Sequence, residues 1–175
     1  MNFLSLLLLV LPAYVANSIP VVFGRGARVD RGALFYDKRP VFGEGKTWRG
    51  LFSGIAFGTL SAIPLAAVFP NEFLPFLNYD QKIFFAFALS AGAMAGDLLG
   101  SFIKRRQGIK SGEPSFLLDQ LLFVFIALTF AIAAYPQLFS ALTLGDATLI
   151  AILTYFLHVA FNAVAHASKL KKVPW

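Results

Sequence analysis

Residues 83–106 read IFFAFALSAGAMAGDLLGSFIKRR. The first 21 carry a single charge, Asp97, and then Lys104, Arg105 and Arg106 arrive together. About 20 apolar residues cross the ~30 Å hydrocarbon core of a bilayer as a helix. The stretch therefore predicts a membrane span that ends in a basic collar. Four further stretches have the same character: 3–23, 51–69, 116–134 and 147–168. The chain has 175 residues, of which 58% are hydrophobic and 14% charged, too apolar a balance for an ordinary soluble domain. Backbone groups inside lipid must be satisfied within the segment, which favours helices. The expected fold is all-α: one polytopic domain over residues 1–175 with five transmembrane helices and one long connection, 24–50.

The charges give this bundle an orientation. The 24–50 connection holds Arg25, Arg28, Arg31, Lys38, Arg39, Lys46 and Arg49; the segment after the third span holds Lys104, Arg105, Arg106 and Lys110; the C-terminus holds Lys169, Lys171 and Lys172. Only Lys82 lies in the other set of loops. The positive-inside rule then puts the N-terminus outside and the C-terminus in the cytoplasm, as an odd number of spans requires. This placement assigns the net charge of +6 to a membrane surface, so nucleic acid is not an expected partner. The first span lacks a basic n-region and has its charges after the apolar run, unlike a cleaved signal peptide. The absence of cysteine excludes disulfides, thiolate zinc sites and thiol nucleophiles. Gly50, Gly54 and Gly58, and again Gly92, Gly96 and Gly100, recur every fourth residue. Such faces allow close helix pairing, within the chain or between two copies in a homodimer.

Chemistry-bearing residues gather at the basic end. The stretch GEGKTWRG, residues 43–50, resembles the end of a P-loop, but Pro40 stands where the first glycine belongs and no strand precedes it. Lys46 still offers a point charge, Arg49 a fork of donors and Thr47 a hydroxyl to phosphate; attraction to anionic headgroups is the plainer alternative. On the third span Asp97, Ser101, Lys104 and Arg105 share one helical face. A carboxylate within a span costs ~2.5–3.5 kcal/mol on insertion scales, which marks a functional site; an internal Asp97–Lys104 ion pair is the alternative. Asp119 opens the fourth span, and an antiparallel helix pair would bring it beside the cytoplasmic end of the third. Two carboxylates ringed by Lys and Arg suit Mg²⁺ held with substrate phosphates, making Asp97 and Asp119 the candidate metal ligands. His158, Asn162 and His166 share a face of the fifth span; interhelical hydrogen bonding is their expected use, with His166 the best placed for substrate.

The pattern Asp97-x3-Ser101-x2-Lys104-Arg105-x4-Lys110, with an acid on the next span, resembles the signature of the phosphatidate cytidylyltransferases. The whole chain is more similar to their short archaeal relatives, the CDP-archaeol synthases, through Asn17-Ser18-Ile19-Pro20-Val21, Gly43 to Gly50, Gly96 to Arg105 and Val173-Pro174-Trp175. It departs from the bacterial pattern at Ser111, where an Asp would follow the lysine, and in a shorter loop that leaves only Asp119 to match the distal acids. The resemblance implies a multi-pass enzyme of the cell membrane, working at its cytoplasmic face. CTP and 2,3-di-O-geranylgeranyl-glycerol 1-phosphate, an isoprenoid-ether lipid phosphate, would give CDP-archaeol and pyrophosphate. It further implies that Lys104, Arg105 and Lys110 hold phosphate charge, that Lys46, Thr47 and Arg49 close over the nucleotide, and that Ser101 bonds a phosphate or metal-bound water. Two rival classes are a CDP-alcohol phosphotransferase, which needs a denser aspartate cluster, and a small transporter or channel, which needs polar groups nearer the bilayer midplane.

Overall fold

The structure, a computed structural model, describes residues 1–169; Lys171, Lys172 and Val173 to Trp175 lie outside the described residues. The elements are α1 (Phe3–Ser18), α2 (Pro20–Phe23), α3 (Trp48–Val68), α4 (Tyr79–Arg106), α5 (Phe116–Gln120), α6 (Leu122–Ala134), α7 (Gln137–Ala141) and α8 (Leu144–Ala167). The fold is all-α. Among the described residues, four helical segments are long and apolar enough to cross a membrane: 3–23, made of α1 and α2, then α3, α4 and α8. The stretch 116–134 differs from the expected single helix. It breaks at Leu121, leaving the short α5 and an apolar α6 of 13 residues, about 20 Å long.

Local chemistry sets the starts of the long helices. Asn2 caps α1 by accepting from the Ser5 N–H, and Asn78 with Gln81 and Thr143 with Asp146 form reciprocal capping boxes on α4 and α8. The Thr47 hydroxyl accepts from the Gly50 N–H at the start of α3 and donates to the Gly24 carbonyl, tying α3 to the end of α2. Pro20 begins α2 as a new helical turn after Ile19.

The core lies between α1, α3, α4 and α6, around Leu6, Leu9, Phe85, Leu89, Ala93 and Ala127. Both glycine faces are spent inside the chain. A Cβ on Gly54 would sit 2.6 Å from Met94 Sδ, and one on Gly92 2.7 Å from Ala127 Cα. The small residues thus bring α3 against α4 and α4 against α6, so these faces are not available for pairing with a second copy. Helix α8 stands apart, with only Asp146, Ile150 and Thr154 buried. It touches α1 through a 2.8 Å hydrogen bond between Tyr14 and Thr154. The 24–47 connection is a hairpin-like loop with isolated bridges between Arg28 and Thr47 and between Leu34 and Pro40.

Candidate active site

The stand-off of α8 opens a cavity of about 570 Å³, bounded by α1, α2 and α8 on one side and by the hairpin, the end of α4 and the α4–α5 connection on the other. Lys46, Asp97, Ser101, Lys104, Arg105 and Asp119 all line it. Its other part is apolar, with Val21, Val22, Phe123, Leu157, Phe161 and Val164.

Each carboxylate has a lysine. Lys46 Nζ lies 2.7 Å from both oxygens of Asp97. Lys104 Nζ lies 2.6 Å from Asp119 Oδ1 and donates to the Glu113 carbonyl at 3.2 Å. The expected alternative, an Asp97–Lys104 pair, is not what forms. Seven residues along a helix is about 10 Å of rise, and Lys46 reaches Asp97 from the hairpin across a shorter path. Asp119 also accepts from the Ser115 N–H at 2.8 Å, which fixes the entry to α5. Arg105 is 5% exposed; its Nη2 donates to the Lys110 carbonyl at 3.0 Å, and its Nε has no hydrogen-bond partner among the described residues. A guanidinium in a cavity wall suits an anionic ligand.

Asp30 shapes the loop that carries Lys46. Its carboxylate accepts from the Gly32, Phe42 and Gly43 N–H groups at 2.9, 3.0 and 3.0 Å. Burial pushes this carboxyl up, but those hydrogen bonds and the nearby Arg28 together outweigh it and hold its pKa below the ordinary aspartate value.

Over residues 1–175 the sequence matches the family profile "CarS-like: CDP-archaeol synthase". The chain belongs to this family. It is 41% identical over 166 residues to the CDP-archaeol synthase of Pyrococcus furiosus, covering 95% of this chain and 94% of that protein. It is 39% identical over 170 residues to that of Archaeoglobus fulgidus, with 95% and 94% covered. A solved structure described as an intramembrane enzyme for archaeal membrane lipids biosynthesis superposes with a TM-score of 0.80 at 38% identity, over 92% of this chain and 94% of that one. CDP-archaeol synthases are CTP-dependent transferases of archaeal lipid synthesis, and neither the transporter nor the phosphotransferase class matches this family.

Set beside the CDP-archaeol synthase resemblance, four expected site residues lie off the cavity wall. The Thr47 hydroxyl is consumed by capping α3. Arg49 and His166 are exposed and do not line the cavity. Lys110 is exposed as well and supports the site through its backbone, its carbonyl holding Arg105. Conversely, Asn17, Ser18, Tyr14 and Thr154 line the cavity without having been singled out as site residues. Polar residues on an otherwise apolar span just before Pro20 were the available signal. His158 and Asn162 line it too, with His158 beside Phe123 at 6.2 Å between ring centres.

Asp97 and Asp119, each paired with a lysine, are the residues that could hold a divalent cation. Asp97 and Asp119 are hard oxygen donors on one cavity, and no group of three or more His, Asp or Glu suited to a metal occurs among the described residues. Two carboxylates with the remaining positions left to phosphate and water is the pattern Mg²⁺ prefers.

Proposed function

We propose that this cavity is where CTP and 2,3-di-O-geranylgeranyl-glycerol 1-phosphate are converted to CDP-archaeol and pyrophosphate, at the cytoplasmic face of a five-span bundle. The observation that carries the reading is the joining of two unlike surfaces in one cavity. A charged wall of Asp97, Lys46, Lys104, Arg105 and Asp119 continues into an apolar gap between the α1–α2 segment and α8. A phosphate on a long isoprenoid tail needs both.

A lipid phosphate oxygen attacks the α-phosphorus of CTP, the bond to the bridging oxygen breaks, and pyrophosphate leaves with that electron pair. The nucleophile is already anionic near neutral pH, so the site needs no strong base. Its task is positioning and charge stabilisation. Lys104 and Arg105, on the last turn of α4, face the phosphates, and Lys46 closes from the hairpin. Ser101, one turn below Lys104, offers a hydroxyl to a phosphate oxygen. Asp97 and Asp119 would hold Mg²⁺, which when bound neutralises phosphate charge.

Five crossings and an external N-terminus rest on two supports. The basic residues other than Lys82 lie on one side, and α1 runs parallel to α8: Met1 meets Asp146 and Tyr14 meets Thr154. A first and a last helix that run parallel need an odd number of crossings in all, which assigns α5 and α6 together to one of them.

Purified protein in detergent should move label from CTP into the lipid only with a divalent cation, and Asp97→Asn should reduce transfer at least about a hundredfold, as loss of a charge-stabilising group at a transfer site does. Near-normal transfer by a folded Asp97→Asn protein, or equal use of ATP, would overturn the reading.

A further inference from the structure

Lys104, Arg105 and Arg106 are consecutive, but at 100° per residue they cannot share a face. Lys104 and Arg105 line the cavity; Arg106 does not. Its guanidinium turns to the outer side of α4 and meets the tip of the hairpin. Nη2 donates to the Pro40 carbonyl at 2.6 Å and to the Arg39 carbonyl at 3.3 Å. Nε lies 3.0 Å from Asp37 Oδ2, an ion pair and not an aligned hydrogen bond, and neither Nε nor Nη1 has a hydrogen-bond partner among the described residues. The guanidinium also sits over two rings, Phe35 of the hairpin at 4.8 Å and Phe102 of α4 at 4.7 Å, and these two rings meet edge to face at 5.2 Å.

The contact is reciprocal. Arg39 Nη1 donates to the Arg106 carbonyl at 2.6 Å and the Arg105 carbonyl at 3.3 Å. It thereby places a cation on the last carbonyls of α4, where the helix dipole favours one. The loop is held at its base as well, where Thr47 bonds Gly24. Between these two fixed points run Phe42, Gly45 and Lys46, which form one wall of the cavity. Gly43 passes so close to the site that a Cβ there would lie 2.9 Å from Arg105 Nη1.

We propose that Arg106, acting with Arg39 and Asp37, is a positioning residue for the nucleotide: it pins the hairpin to α4 and so holds Lys46 and the Gly43–Gly45 backbone against the site, without touching substrate. The planar fork of arginine suits two carbonyls, a carboxylate and two rings at once; an ammonium does not. Loosening the pin lets the wall lift, which weakens nucleotide binding more than the transfer step.

The inference rests on the CTP-dependent reading above, so its test has two arms. In the kinetic arm, Arg106→Ala should raise the KM for CTP about tenfold or more while changing kcat less than about threefold, in line with the loss of two charge-assisted hydrogen bonds and an ion pair. Arg106→Lys should fail to restore KM, and Arg39→Ala combined with Arg106→Ala should cost little more than either alone. The second arm needs no substrate. The chain has no cysteine, so spin labels on Tyr36→Cys and Asn71→Cys report the distance from hairpin tip to the far end of α3. Arg106→Ala should broaden that distribution; should that variant fail to fold, Asp37→Asn should still broaden it relative to the unsubstituted pin. An unchanged distribution, an unchanged KM, a fall in kcat alone, or full rescue by lysine would overturn the pin. A wild-type protein inert towards CTP would instead overturn the reading of function, leaving the distance measurement to judge the pin.

Discussion

Lys46 and Lys104 each hold a carboxylate that the proposed chemistry needs for a cation, and each is also an ammonium that the phosphates need. Removing Lys46 separates the two roles. In Lys46→Met, Asp97 loses the partner that holds both its oxygens. A charged hydrogen bond contributes about 1.5–3 kcal/mol, so CTP affinity should fall about tenfold to a hundredfold. Affinity for a divalent cation without nucleotide should move the other way and rise. Parallel titrations with CTP and with Mn²⁺ alone would check both signs; a fall in both would place Lys46 in a purely structural role. At this scale the α4 ladder was legible, because 97, 101, 104 and 105 share a face by helical spacing alone. The partners were not. Asp97 pairs with a residue 51 positions earlier, and Thr47 and Lys110 disclosed their chemical type but not the direction of their side chains.

Helices and loops show a second division between what composition reveals and what packing decides. The long apolar stretches are written in hydropathy. The break at Leu121 is not, since that residue is itself apolar and its backbone marks the end of one helix and the start of the next. The glycine faces announced close packing, and their partners came with the fold. Gly92→Leu should separate α4 from α6, because its Cβ alone would meet Ala127 Cα at 2.7 Å. Overpacking costs about 1–3 kcal/mol or more, so the unfolding midpoint in detergent should drop by several degrees. Gly145→Ala, whose Cβ meets only Thr143 Oγ1 at 3.7 Å, should leave that midpoint unchanged or raise it. The hairpin carries its own titration. The Asp30 pKa is lower in the fold than its ordinary value, so the ionised form stabilises the loop. That contribution is complete above the unfolded value of about 3.9 and is lost as pH falls through the lower folded value. Asp30→Asn should therefore weaken CTP binding at neutral pH, and its penalty should shrink in acid, as nucleotide titrations across pH would show.

For the molecule as a whole, the apolar exterior and the direction of the first and last helices make the same demand. Phe52, Leu60 and Phe156 point outward and are 53–64% exposed, an arrangement that lipid solvates and water does not. In the proposed topology the charge pattern supplies the orientation and the parallel α1 and α8 supply the odd number of crossings; neither alone yields the full arrangement. Together they make the shorter α6 the decisive element, because at about 20 Å it spans the core only with help from α5. Single cysteines in this cysteine-free chain can test it. Tyr36, Gln107 and Ser168 are exposed positions on the hairpin, at the end of α4 and at the end of α8; Asn71 and Phe139 are exposed positions between α3 and α4 and on α7. A membrane-impermeant thiol reagent applied to intact cells should label Asn71→Cys and Phe139→Cys while sparing the other three until the membrane is opened. Labelling of Phe139→Cys together with Tyr36→Cys only after lysis would make α5 and α6 a re-entrant segment. The chain would then have four crossings, α8 would enter from the cytoplasmic side, and its parallel run beside α1 could not stand.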